Sequence, residues 1–356
     1  MLISAVFTSA TIVAAPSRDY VQPLRAAAAQ PRGIPIKPDV TLTAPLTPVA
    51  LSPAGSHAAF PGLAFTPGRT LDLAWRQGSD HVGRRDGQIV IATSLDSGLS
   101  YHDPDAVLGG GTDYRDPSVS AIDDELWLTY FTGSASNAAQ GAYVVRGDRP
   151  PVRIDSLPYA AIAAPVVELP DGTVAAVYYG HAAGQARDSV WFARSTNGGA
   201  SWTSTRIADG VADGRDYQEP WLVVRDGTLH VLHRYGSWDS VGITSSTDGG
   251  AHWTLPRKIL GHATGRPTTL VYASGTMLTI YRDTDTRAAE MAVNKDGGAN
   301  WVTSGTLLTP PTGSPLGMTY AAAVEVLPGV AHVVVGAENA DGSSTLYRGW
   351  LAEAIR

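Results

Sequence analysis

Apolar and polar residues alternate over short runs along most of the chain, and no segment of useful length carries the 3.6-residue period of a helix. Residues 71–75 (LDLAW), 125–130 (ELWLTY), 173–179 (TVAAVYY), 228–234 (TLHVLHR), 276–282 (TMLTIYR) and 331–337 (AHVVVGA) predict strands. Each follows an earlier strand that opens on proline or alanine: 60–65 (FPGLAF), 115–121 (RDPSVSA), 164–170 (APVVELP), 219–224 (EPWLVV), 266–272 (RPTTLVY) and 320–327 (YAAAVEVL). Pro61, Pro117, Pro165, Pro220 and Pro267 are spaced 56, 48, 55 and 47 residues apart, so the six openings mark six copies of one supersecondary unit.

A turn signature repeats in the same register. It reads Ser94-Leu95-Asp96-Ser97-Gly98 to Tyr101, Ser195-Thr196-Asn197-Gly198-Gly199 to Trp202, Ser246-Thr247-Asp248-Gly249-Gly250 to Trp253, and Asn294-Lys295-Asp296-Gly297-Gly298 to Trp301. Asp96, Asn197, Asp248 and Asp296 lie 101, 51 and 48 residues apart, so one copy is skipped. An Asp or Asn folds its side chain back on the turn, glycine supplies positive φ, and the aromatic packs inward, which makes the motif a structural hairpin device. Two repeats in step predict an all-β fold: a six-bladed β-propeller over residues 51–356, with four-stranded antiparallel blades. The last copy has no turn signature and no clear outer strand, so residues 40–44 are expected to complete that blade and close the ring.

Composition sharpens this picture. Glycine (38) and proline (24) suit many short strands joined by tight turns, and the absence of cysteine excludes disulfides and thiolate metal sites. The nine histidines are scattered without ligand spacing, and neither metal nor cofactor is expected. A net charge of -7 without a basic run argues against nucleic acid. No stretch reaches the roughly 18 apolar residues of a membrane span. Residues 1–15 are apolar enough for the centre of a signal peptide but lack its positive start. Residues 1–50 read as an extended, Ala- and Pro-rich N-terminal arm that could anchor the protein to a larger assembly.

The first strand of a propeller blade lines the central channel, so polar residues at its opening converge on one mouth. Arg115, Asp116, Glu219, Arg266 and Tyr320 stand at openings, while Arg76, Arg234 and Arg282 end second strands. Such a gathering suits an acidic or polyhydroxylated ligand. Ion pairing between neighbouring blades is the plainer alternative.

With these motifs the chain resembles the sialidase (neuraminidase) superfamily of Asp-box, or BNR-repeat, propellers over about residues 55–356. Glu219-Pro220-Trp221-Leu222, then Asp226-Gly227, then Arg234, follows the family pattern of a glutamate opening a strand and an arginine closing the next. The resemblance implies a tyrosine nucleophile, Tyr320, with Glu219 as its base partner. It implies a carboxylate clamp from Arg234 and either Arg287 or Arg282, and an acid on a first-blade loop, either Asp80 or Asp86. His81 is a further polar residue there, of the kind that usually lies on plain surface. A neutral tyrosine suits an anionic sugar, which repels a carboxylate nucleophile. The family opens its first blade with arginine two residues before proline, and here that position is Ala59. One lost bidentate arginine removes on the order of 2 kcal/mol of binding, so Arg76 or Arg115 substitutes, the substrate differs, or catalysis is lost.

Two functions follow. One is a retaining glycoside hydrolase on terminal acidic sugars of cell-surface glycans. The other is a non-catalytic, carbohydrate-binding receptor-binding or tail protein of a bacteriophage, attached to the virion through residues 1–50. Either implies an extracellular, secreted or virion-borne protein.

Overall fold

The computed structural model describes residues 40–66, 70–82, 85–134, 138–236 and 238–354; most of the expected arm lies outside them. Among the described residues the chain is all strand and turn. Four sheets stand alone as propeller-like blades, spanning 113–153, 159–208, 217–261 and 263–308. In each, the strands pair antiparallel, and outside the opening of the 159–208 sheet every strand pairs with its neighbour in sequence.

Two departures from six separate four-stranded blades have physical causes. The 159–208 sheet has five strands, because its opening strand is broken into Tyr159–Ala161 and Val167–Glu168 around Ala164 and Pro165. Proline has no N–H to offer a ladder. The remaining strands form one nine-stranded sheet instead of two blades. Met318–Leu327, Val330–Glu338 and Ser344–Glu353 continue into His57–Thr66, Thr70–Gly78, Gln88–Ser94 and His102–Leu108. The junction is one parallel pair, Ser344 with His57, where Ser344 N–H donates to the Ser56 carbonyl at 3.2 Å. Closing the ring brings these two strand starts together.

Val40–Leu42 pairs antiparallel with Leu351–Glu353, and Thr47–Pro48 with Tyr347–Arg348. Residues 40–48 therefore cover the outer edge of Ser344–Glu353, and the rest of the anchoring segment falls outside the described residues. An uncovered edge would expose a row of backbone donors and acceptors.

The turn signatures do what their residue types require. In each copy the Asp or Asn carboxyl or amide oxygen accepts from the backbone four residues on, at 2.8–3.0 Å (Asp96, Asn197, Asp248, Asp296). Trp202, Trp253 and Trp301 return their indole N–H to the turn glycine carbonyl at 3.1, 2.9 and 3.2 Å. Tyr101 instead pairs its hydroxyl with His332 Nε2 at 2.9 Å. The second glycine also sets the spacing between blades. A Cβ on Gly250 would lie 2.8 Å from the Phe192 ring of the preceding blade, whereas the adjacent Gly249 faces open space.

That contrast is testable by urea denaturation. Both glycines have positive φ, so Gly249→Ala is expected to cost about 1 kcal/mol from the backbone alone. Gly250→Ala adds a clash in a packed interface and is expected to cost about 3 kcal/mol. Equal losses would remove the spacer role.

Candidate functional site

Five of the opening strands are bulged at the same place. The register slips between Ala59 and Gly62, Arg115 and Ser118, Gln218 and Trp221, Thr264 and Thr268, and Met318 and Ala321. Within these bulges Phe60, Asp116, Glu219, Gly265 and Tyr320 take positive φ, from 49° to 75°. A bulge with a left-handed residue bends the strand and re-aims its side chain. For a non-glycine residue it costs about 1–2 kcal/mol and persists only where the surroundings enforce it.

The re-aimed side chains meet. The Tyr320 hydroxyl donates to Glu219 Oε1 at 2.5 Å across 101 residues of sequence, and Arg234 Nη1 lies 3.1 Å from the same oxygen. Glu219 Oε2 is buried without a hydrogen-bond partner. Arg234 Nη2 donates to Gln218 Oε1 at 2.7 Å, and Gln218 Nε2 to Asp188 Oδ2 at 2.5 Å. Asp188 Oδ1 lies 2.6 Å from His181 Nδ1. Burial, reinforced by the Glu219 charge, raises the Tyr320 phenol well above its ordinary range. The phenol is therefore neutral at any working pH, and Glu219 Oε1 is placed to accept its proton. Tyr179 faces the same carboxylates, and burial with the Glu219 and Asp116 charges pushes it far up as well.

The other predicted residues divide. Arg282 donates to the Met318 carbonyl at 3.0 Å with its guanidinium 5.9 Å from the Tyr320 ring. Arg287 is exposed and bonds the Pro315 carbonyl. Arg76 is wholly buried, with Nε and Nη2 on Asp113 Oδ1 at 2.9 and 2.7 Å and Nη1 on the Asp80 carbonyl at 2.7 Å. Arg115 stacks on Phe131 at 4.9 Å. Arg266 sits deeper, bonded to the carbonyls of Pro61 (2.7 Å), Ala163 (3.0 Å) and Ala321 (2.6 Å), with Trp221 and Tyr320 rings on either hand. Its donors are taken up by those carbonyls and by the Thr268 and Ser118 hydroxyls.

Asp80 and Asp86 are both exposed; Asp80 Oδ1 accepts from His81 N and Asp86 Oδ2 from Ser79 N. His81 departs from the surface position expected of a loop histidine. Its ring lies 5.0 Å from both His57 and Phe60, and Phe60 stacks on Tyr320 at 5.1 Å. Burial, then the neighbouring His57 and Arg115, lowers its pKa to about 2, so it is neutral. Ala59 is buried beside Phe60, so an aromatic contact stands where the family places its first arginine. Sequence reasoning missed Phe60, Tyr179, Asp188, Gln218 and Trp238. Only Gln218 and Phe60 carried a signal, as neighbours of an opening proline.

Asp116 completes the mouth. It is buried with Oδ1 unpartnered, and burial raises its pKa to about 6, with Arg115 opposing and Glu219 assisting. Because the folded value exceeds the unfolded one, the fold binds this proton more tightly. Its contribution is most favourable below about pH 4 and is lost as pH rises to about 6. Asp116→Asn is therefore expected to raise stability by about 2–3 kcal/mol at pH 8, with the gain vanishing near pH 4 in pH-dependent chemical denaturation.

The chain is similar to several solved structures. A protein of unknown function from Dyadobacter fermentans superposes with a TM-score of 0.78 at 17% identity, over 89% of this chain and 100% of that one. The Hadza microbial sialidase Hz136 gives 0.63 at 16%, over 84% of this chain and 66% of that one. Trypanosoma rangeli sialidase in complex with the inhibitor DANA gives 0.63 at 11%, over 89% and 58%. The chain thus spans less than two thirds of these sialidases, and at such identities the likeness is one of fold. No curated protein sequence matches it. The BNR repeat-like domain model matches residues 155–333, which is 179 of 356 residues. With half of its length in that match and its turn signatures formed, the chain belongs to the BNR repeat-like domain family.

Proposed function

We propose that this protein is a sialidase-like, glycan-recognising propeller that cleaves a terminal acidic sugar with retention of configuration. The observation that carries the reading is the 2.5 Å hydrogen bond from Tyr320 to Glu219, with Arg234 on the same carboxylate oxygen. In the first step the phenol oxygen attacks the anomeric carbon while Glu219 takes its proton. An acid on the first-blade loop protonates the departing oxygen, and Asp80, whose backbone is held by Arg76, suits that role better than Asp86. The same first-blade residue, now a carboxylate, then takes a proton from water, which attacks the same carbon while the tyrosine leaves and recovers its proton from Glu219. Arg234 and Arg282 flank the pair and suit a substrate carboxylate.

The reading includes a six-bladed ring, with the nine-stranded sheet acting as two blades. Its single parallel junction supports this, as does a cavity of ≈ 320 Å³ lined by all six opening segments, from Gly62 through Ser118, Pro165, Trp221 and Thr269 to Ala322.

A second reading, a non-catalytic glycan-binding module, is favoured by Ala59 and by the stacking of Phe60, itself against His81, on Tyr320, which is only 9% exposed. Hydrolysis of a fluorogenic α-sialoside separates the two. The enzyme reading expects turnover by the intact protein and a loss of about a thousandfold in Tyr320→Phe, with the fold unchanged by circular dichroism. Binding of the sialoside without turnover would establish the binding module instead.

A further inference from the structure

Asp188 belongs to the 159–208 sheet, in the segment between Val174–His181 and Ser189–Ser195, yet its carboxylate bonds into the next blade. Its main chain is pinned there. The Asp188 N–H donates to Asp216 Oδ1 at 2.9 Å and its carbonyl accepts from the Tyr217 N–H at 3.0 Å, while a Cβ on Gly210 would lie 2.0 Å from that carbonyl. Arg187 in turn holds Asp216 Oδ2 at 2.7 Å. Both carboxylate oxygens of Asp188 are used, Oδ1 toward His181 and Oδ2 by the Gln218 amide.

The Gln218 amide has a donating end and an accepting end of nearly the same shape, so its neighbours decide which way it points. A carboxylate only accepts and a guanidinium only donates. With Asp188 on one side and Arg234 on the other, Nε2 faces Asp188 and Oε1 faces Arg234; reversal would set acceptor against acceptor and donor against donor. Arg234 depends on this choice. Its Nη2 bonds Gln218, its Nη1 bonds Glu219 Oε1, and its Nε is buried without a partner. The Trp238 ring, 3.3 Å from the guanidinium carbon, resists tilting but leaves rotation in the guanidinium plane to the hydrogen bonds.

Resting on the proposed function, we propose that Asp188 is a positioning residue for the reaction, supplied by the neighbouring blade. It fixes the Gln218 amide, and the amide fixes the in-plane rotation of Arg234 that aims Nη1 at Glu219. The proton transfer between Tyr320 and Glu219 then depends on a residue that acts only through two others.

The test reads the Arg234 side chain itself, by proton–nitrogen NMR of the guanidinium in the full chain, assigned by its loss in Arg234→Lys. A guanidinium held at both Nη atoms gives separate Nη resonances, and one free to rotate gives a single averaged one. Separate resonances are expected in the intact protein and in Asp188→Asn, whose amide oxygen still accepts from Gln218. An averaged resonance is expected in Asp188→Ala and in Gln218→Met, which nearly keeps the side-chain volume and serves if Asp188→Ala does not fold. In these two variants kcat on the fluorogenic α-sialoside is expected to fall about tenfold, with KM within about twofold of the intact protein, and Asp188→Asn to restore it. Separate resonances in Asp188→Ala and Gln218→Met overturn the proposal, whatever happens to kcat, because a loss of turnover then marks general damage. Averaged resonances with unchanged kcat overturn it as well. If the intact protein turns over no sialoside, the hydrolase reading fails by itself, and the resonances still decide whether Asp188 sets Arg234.

Discussion

One buried guanidinium holds the centre of the molecule. Arg266 reaches the carbonyls of Pro61, Ala163 and Ala321 and approaches Ser118 Oγ at 3.4 Å, so a single side chain ties its own strand to three others and to the loop at Ala163. Thr268 Oγ1 also donates to the Ala321 carbonyl and Ser118 Oγ to the Ala163 carbonyl, and a buried carbonyl left alone would cost about 1–3 kcal/mol. Burial pulls the Arg266 pKa down, but the carbonyl dipoles and the Trp221 and Tyr320 rings compensate the charge. Arg266 also divides the axis, with the apolar cavity on the Trp221 side and the polar mouth on the Tyr320 side.

Above that plug, the bulges convert an ordinary strand periodicity into a convergent site. In an unbroken strand, successive side chains face opposite sides, and a residue at a strand opening has no reason to point down the axis. The left-handed turn at Glu219 and at Tyr320 turns both inward, and their strain is offset by the short hydrogen bond between them. Arg234 closes the arrangement from the neighbouring strand and passes its order outward through Gln218 and Asp188.

The first blade treats the same position differently. Phe60 occupies its bulge and meets Tyr320 ring to ring, with Ala59 small enough to be wholly buried behind it. His57 lies 3.5 Å from Glu338 and edge-on to His81, so the rings on this side of the mouth form an aromatic wall. Burial lowers the His57 pKa to about 4, which keeps it uncharged. Charge is concentrated on the side of Arg234, Arg282 and Asp116.

By itself the sequence determined whatever depends on near neighbours: the strand alternation, the repeat openings, the four turn signatures and the residue types at Glu219, Arg234 and Tyr320. Each is set by backbone chemistry within a few residues, and a period of two or a glycine at positive φ is visible in a line of text. Tertiary structure alone decided which of the similar-looking arginines serves the mouth. Arg115, Arg234 and Arg266 all stand at strand ends, but Arg266 bonds carbonyls 55, 103 and 205 residues away, whereas Arg234 bonds Glu219 and Gln218 on the adjacent strand, where Tyr320 also arrives. It likewise decided that His81 packs on Phe60 and His57, that Trp238 lies on Arg234, and that Ser344 meets His57 to merge two strand sets into one sheet. These depend on how a closed ring brings distant loops together, and local pattern carries no information about that distance.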